Sequence, residues 1–247
     1  MTLAYEFKFY NSIFMTPSIN ENLKKLYSDK WPLIISELEK SDDENPIASA
    51  YPMLIMVNEE KFSKADLKVM FFGQEPNVWD ASNNIKGLMD FYYHFTDCEN
   101  DFKVKRRGQF WNGIKKIQKS LKEQFLNSSI YPIYNNVIKI GRIDKAGRPP
   151  NYIYEIERRS FDVIKEELKI LQPDLCLFFS GPDYDNVLVD IFGTIEYDPV
   201  KPYKERELSK INIPGIDLAL RTYHPNFLYQ NNIENYYKAI MEELVNK

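Results

Sequence analysis

Four short stretches of this chain carry the side chains best suited to chemistry on a polar ligand. The first is Gly73-Gln-Glu-Pro76, which follows the apolar run Leu67-Lys-Val-Met-Phe-Phe72. An apolar run of that length, closed by Gly and Pro, reads as a buried strand. Gly73 lets the backbone turn or approach a ligand closely, and Pro76 keeps the exit segment out of the sheet. A carboxamide, Gln74, and a carboxylate, Glu75, are thereby delivered at the carboxyl end of a core strand, where open α/β sheets bind ligands. The second is His224-Pro-Asn-Phe-Leu228, which places one of only two histidines on a loop stiffened by Pro225 and followed by an apolar tip. Asn136 supplies another carboxamide. Ser180 closes the run Leu175-Cys-Leu-Phe-Phe179.

The elements that must position these groups follow from the hydrophobic pattern. Strands are expected at Leu67–Phe72, Ile133–Ile140, Leu175–Phe179 and Asp217–Thr222. Helices are expected from Gln109 to Phe125, from Glu155 to Leu171, from Tyr184 to Phe192 and from about Asn232 to Val245. The first sixty residues read as helical from Pro17-Ser-Ile-Asn20 onward, and Ser41-Asp-Asp-Glu-Asn-Pro46 reads as the loop that ends them. Residues Glu196 to Gly215 read as a surface loop or hairpin. Strands separated by helices of this length imply right-handed crossovers and a parallel sheet with helices on both faces. The expectation is a three-layer α/β/α domain with a central, mostly parallel four-stranded sheet at 61–247, and an N-terminal helical extension at 1–60 packed on it. Parallel strands end on one side, so Gln74, Glu75, Asn136, Ser180 and His224 should share one rim.

Composition bounds the setting. At 247 residues with 44% apolar residues, the chain can bury a sizeable core. Seventeen Tyr and sixteen Phe suit ordinary packing, and part of them suits stacking surfaces. The net charge of −4 gives no general attraction to nucleic acid, so such a partner needs a local basic patch. Two distant cysteines, Cys98 and Cys176, cannot make an iron–sulfur or structural zinc cluster within one chain. They point to a reducing cytoplasm. No secretory leader or membrane span is evident, so a cytoplasmic monomer is expected.

The two strand-end motifs, in this order on an alternating α/β pattern, resemble the uracil-DNA glycosylase superfamily. That superfamily pairs a Gly-Gln-Asp-Pro type motif after the first core strand with His-Pro-x-x-Leu after the last. Here they stand as Gly73-Gln-Glu-Pro76 and His224-Pro-Asn-Phe-Leu228. Asn136-Val-Ile-Lys139 is similar to the family's strand that carries a base-reading Asn. Gly87-Leu-Met-Asp-Phe91 is similar to the stretch that supplies a stacked aromatic. The resemblance spans roughly residues 65 to 245.

The resemblance implies hydrolysis of the N-glycosidic bond of uracil or a related damaged base in DNA. Enzymes that act on a base take it out of the stack and into a closed pocket. Glu75 and His224 would carry the chemistry. Gln74, Asn77, Phe91 (or Tyr92) and Asn136 would form the base pocket. Ser180, Asn226 and a wedging Leu228 would contact DNA. No metal or other cofactor is called for. The most active branch has Asp where Glu75 stands, and an added methylene moves a carboxylate by more than about an ångström. It also has an aromatic where Asn77 stands. A catalytically silent member that binds nucleic acid, a nucleotide or a protein partner is the alternative.

The basic run Lys103-Val-Lys-Arg-Arg-Gly108, with Lys115, Lys116 and Lys119, could track phosphates or simply be a solvated face. Arg142–Pro150 is a basic loop directly after the Asn136 strand. Asp162, Glu166 and Glu167 read as solvent-facing helix charges. His94, among aromatics, reads as packed.

Overall fold

The computed structural model describes residues 17–77, 79, 82–98 and 108–246. Its centre is a six-stranded mixed sheet in the order β2-β1-β3-β6-β5-β4. The strands are β1 (Leu67–Gly73), β2 (Ile130–Asn136), β3 (Leu175–Phe178), β4 (Tyr197–Pro199), β5 (Leu208–Ile211) and β6 (Leu218–Thr222). β2, β1, β3 and β6 run parallel, whereas β5 and β4 add an antiparallel edge beside β6. The expected four-stranded sheet is therefore too small by the hairpin at 196–215. That hairpin joins the sheet through Leu208 and Ile211, which are buried despite polar neighbours.

β2 also lies earlier than expected, because Pro132 interrupts the apolar reading of Ile130-Tyr-Pro132. Proline is tolerated on an edge strand where its missing N–H faces away from the sheet. The Val137 amide bonds the Gly73 carbonyl, so in β2 the odd-numbered amides face β1 and the even-numbered ones face outward. Pro132 is one of the outward positions. At the next, Tyr134, the Tyr92 hydroxyl both donates to the carbonyl, at 2.7 Å, and accepts from the amide, at 3.1 Å. At the far edge, the Val200 amide bonds the Leu208 carbonyl, which leaves Pro199 of β4 at an outward position too.

Helix α1 (Ile19–Glu44) starts at a Ser18–Glu21 capping box and buries Leu23, Tyr27, Ile34 and Leu38. It continues through most of the acidic stretch expected to be a loop. After the short α2 (Glu59–Ser63) come α3 (Ile85–Phe95), α4 (Gln109–Gln124), α5 (Asn151–Ser160), α6 (Ile164–Leu171), α7 (Asp185–Phe192), α8 (Pro225–Gln230) and α9 (Ile233–Val245). A 3-10 turn, Pro182–Tyr184, precedes α7. α1 packs against α3, α5 and α6, while α4, α8 and α9 pack on one another. Residues 50–57 are mostly buried and hydrogen-bond to the segment after β2, with the Met53 amide on the Lys139 carbonyl and the Ala50 amide on that of Gly141.

The helix expected from Glu155 to Leu171 is two helices. Phe161 and Val163 are both fully buried. On a continuous helix they would stand about 200° apart, so one would face solvent. Leaving the helix for three residues buries both. Asp162 consequently lies between helices rather than on one.

Glu167 is a second correction. It occupies the buried stripe Ile164, Glu167, Leu168, Leu171 of α6 and is 0% exposed. Its carboxylate accepts from Lys139 Nζ at 2.8 Å, from Tyr27 OH at 2.7 Å and from Asn135 Nδ2 at 2.9 Å. Burial pushes the Lys139 pKa down, and this carboxylate opposes that shift. Among the described residues, no helix is long and apolar enough to cross a membrane.

Candidate functional site

The carboxyl ends of the parallel strands form one rim, and the loops after β1 and β2 are clamped together there. Gly73 lies opposite Asn136 in the ladder. A Cβ at Gly73 would sit 2.5 Å from Asn136 Oδ1 and 3.2 Å from Phe110 Cζ, so only glycine fits. Gly141 does the same for Pro76, whose carbonyl would lie 2.4 Å from any added Cβ. Gln74 is held by its Nε2, which donates to the Ser180 carbonyl at 2.8 Å. Glu75 is held by Tyr184, whose hydroxyl makes a short hydrogen bond to Glu75 Oε2.

His224 is the N-cap of α8, and its Nδ1 accepts from the Asn226 amide at 3.1 Å. That bond assigns the lone pair to Nδ1, so the neutral ring carries its proton on Nε2 as a donor. The ring stacks on Phe110 with centroids 5.3 Å apart. Pro225 fits against Gly113 of α4, where a Cβ would approach its ring to 2.5 Å. Asn136 is fully buried, and its Oδ1 accepts from Tyr134 OH at 2.8 Å.

Of these residues, Gly73, Pro76, Phe110 and Tyr134, with the groups they hold, line a cleft of about 660 Å³. Of the nine site residues expected from sequence, Gln74, Glu75, Asn77, Phe91, Asn136, His224 and Asn226 line it. Two do not. Ser180 is buried beneath the rim and contributes its carbonyl to Gln74. Leu228 is 0% exposed in the core, so it offers no apolar tip in this structure, whereas Phe227 beside it is 39% exposed. Tyr92, the second choice for a stacked aromatic, is buried with its hydroxyl on β2. His94, expected to be packed, is exposed.

Several wall residues escaped the sequence reading. Trp79 packs edge-on against Phe91 at 4.8 Å and Phe95 at 5.0 Å. Trp111 bridges Phe95, at 5.5 Å, and Tyr134, at 4.8 Å. Phe110 was visible only as a helix-face residue of α4. With His224 these rings make a nearly continuous aromatic wall.

The electrostatics follow from partial burial. Burial raises the Glu75 carboxyl above its usual pKa, opposed by the Tyr184 hydrogen bond and the nearby Arg148 guanidinium. Burial lowers the His224 pKa and favours the neutral ring. Of the basic features, residues 103–107 lie outside the described residues. Lys116 pairs with Glu234, Lys119 with Glu123 and Arg142 with Asp144. Among the described residues, no three His, Cys, Asp or Glu side chains gather as a metal site would require.

What the arrangement can do chemically is clear from its parts. An imidazole donor, a carboxylate and a carboxamide line one cleft together with several aromatic rings. Compared with protein-family models and with curated proteins, the chain has no match, so the site rests on its own geometry.

Proposed function

We propose that this chain is a DNA glycosylase-like hydrolase that breaks the N-glycosidic bond of uracil or a related damaged base. The observation that carries the reading is the meeting of Glu75 and His224, from the ends of β1 and β6, in one aromatic-walled cleft with Asn136. The parallel order β2-β1-β3-β6, with the two motifs after β1 and β6, supports a uracil-DNA glycosylase-like α/β/α core extended by the β4–β5 hairpin.

Breaking the glycosidic bond puts negative charge on the departing base and positive charge on the sugar. A neutral His224 donating from Nε2 stabilises the first without having to lose a proton. An ionised Glu75 stabilises the second or orients the attacking water. The aromatic wall gives a flipped base a face to stack on. Asn136 supplies the carboxamide that can match a pyrimidine's carbonyl and imide edge.

The test is incubation with single- and double-stranded DNA bearing uracil, hypoxanthine or a mismatch, counting abasic sites. Cleavage is expected, falling about 10²–10³-fold in His224→Ala, as for loss of a transition-state donor. A comparable loss is expected in Glu75→Gln. Cleavage that survives both substitutions would overturn the reading. A second reading, a silent binding member of the fold, has one observation in its favour: Asn136 is fully buried with its oxygen already engaged by Tyr134. DNA binding with no product at enzyme excess would select it.

A further inference from the structure

We propose that Arg148 is the phosphate-binding residue of this cleft, taking a phosphodiester oxygen of the strand that carries the excised base. The inference rests on the glycosylase reading above and gives its substrate a second point of attachment.

Arg148 lies in the loop between β2 and α5, next to Ala146 and Gly147, which line the cleft. Gly147, at φ +110°, turns the chain so that Arg148 enters a slot between two tyrosines. Its guanidinium carbon is 5.2 Å from the Tyr184 ring centroid and 5.6 Å from that of Tyr154. Both rings are fixed through their hydroxyls, Tyr184 on Glu75 and Tyr154 on Asp190. The slot is therefore built by side chains that are themselves tied down.

What sets Arg148 apart is that no carboxylate touches it, although Glu75 is near enough to feel its charge. Arg142, Arg158, Arg159, Arg206 and Arg221 each pair with a carboxylate, whereas Arg148, alone among the described arginines, has neither an ion pair nor a hydrogen bond. It is also only partly exposed. Stacking occupies the faces of a guanidinium and leaves its N–H groups directed outward in the plane. That fork matches two oxygens of a phosphate. The position also answers a physical need. A strand that presents its sugar to Glu75 brings flanking phosphates toward a carboxylate, and a cation beside that carboxylate offsets the repulsion.

Binding is measured by fluorescence anisotropy with a single-stranded oligonucleotide bearing one non-cleavable deoxyuridine analogue, over a salt series. Arg148→Gln is expected to weaken binding about tenfold or more, the scale of a lost charged hydrogen bond. It should lower the salt dependence by about one phosphate contact. Arg148→Lys keeps the charge but not the stacked fork, and should recover only part of the loss. Replacing the contacted linkage with a neutral methylphosphonate should weaken the wild type but leave Arg148→Gln unchanged.

Arg148→Gln with wild-type affinity and salt slope would overturn the proposal. So would a methylphosphonate penalty that Arg148→Gln keeps in full at both flanking linkages, since the guanidinium would then serve Glu75 alone. Deoxyuridine monophosphate binding as tightly as the oligonucleotide would reassign the site to a terminal phosphate and overturn the diester. The two readings fail separately. Wild-type cleavage with an unaffected Arg148→Gln sinks only the phosphate contact. Absent cleavage, with binding that still depends on Arg148, sinks only the glycosidase.

Discussion

Asn135 and Asn136 are neighbours on β2, yet they serve two unlike regions. Successive strand side chains point to opposite faces. Asn135 enters a sealed polar network with Lys139, Glu167 and Tyr27. Asn136 faces the cleft with Tyr134, Glu75 and His224. In the inner region the cation and the carboxylate meet at 2.8 Å, each wholly buried, with further hydrogen bonds around them. In the outer region Glu75 is held by a neutral phenol and Arg148 by two ring faces, so both charges are incompletely matched. The difference teaches where to look for chemistry. Complete pairing builds the frame, and charges left partly uncompensated, each oriented by a neutral group, mark the working surface.

The hardest blow to this contrast is removal of one inner charge. Lys139→Met leaves Glu167 buried and unpaired, and should cost about 3–5 kcal/mol in urea denaturation. The double substitution Lys139→Met with Glu167→Met should regain part of that loss, because the apolar pair carries no desolvation penalty while Tyr27 and Asn135 lose their charged partners. A Lys139→Met loss below about 1 kcal/mol, outside that range, would mean that the inner pair is not sealed.

A smaller change probes the seam between the regions. Gly73→Ala forces a methyl against Asn136 Oδ1, and overpacking of this kind costs about 1–3 kcal/mol. Cleavage should fall further than stability, by about a hundredfold, because the carboxamide and Glu75 shift together. Wild-type cleavage in Gly73→Ala would show that Asn136 need not hold its place.

The mildest change sharpens the outer region. In the proposed reaction Glu75 works as a carboxylate, and its pKa is raised, so that form fills as pH rises and is lost as pH falls through the raised value. The Tyr184 hydrogen bond favours the carboxylate. Tyr184→Phe should therefore move the acid limb of the pH–rate profile to higher pH, at a stability cost of about 0.5–1.5 kcal/mol. A limb that stays in place or moves down would disconnect Tyr184 from Glu75.

Much of this architecture could be read from the chain alone, and the misses share one physical origin. β1, β3 and β6 announce themselves as apolar runs ended by Gly or Pro, which also exposes Glu75 and His224 as strand-end groups. β2 was displaced because Pro132 looks like a breaker until its outward position is known. β4 is three residues of mixed character and earns its place only by pairing with β5. Glu167 fits the helical stripe of α6, but its charge argued for solvent. Lys139, which overturns that argument, is 28 residues away in sequence. The same holds for Tyr184, Arg148 and the Trp79–Phe95–Trp111 wall. Residue type and local spacing locate groups on elements, and only the packing of distant elements decides what each group meets.

The edges of the sheet carry one more consequence. Pro132 and Pro199 occupy outward positions on the two edge strands, and the Tyr92 hydroxyl consumes both outward groups of Tyr134. The amide of Asn136 is taken by Asn135 Oδ1 at 2.9 Å. An incoming strand from another molecule would find rings and occupied amides at these positions instead of a continuous ladder. Strand addition, the hazard that an open sheet edge carries, is thereby opposed at these positions.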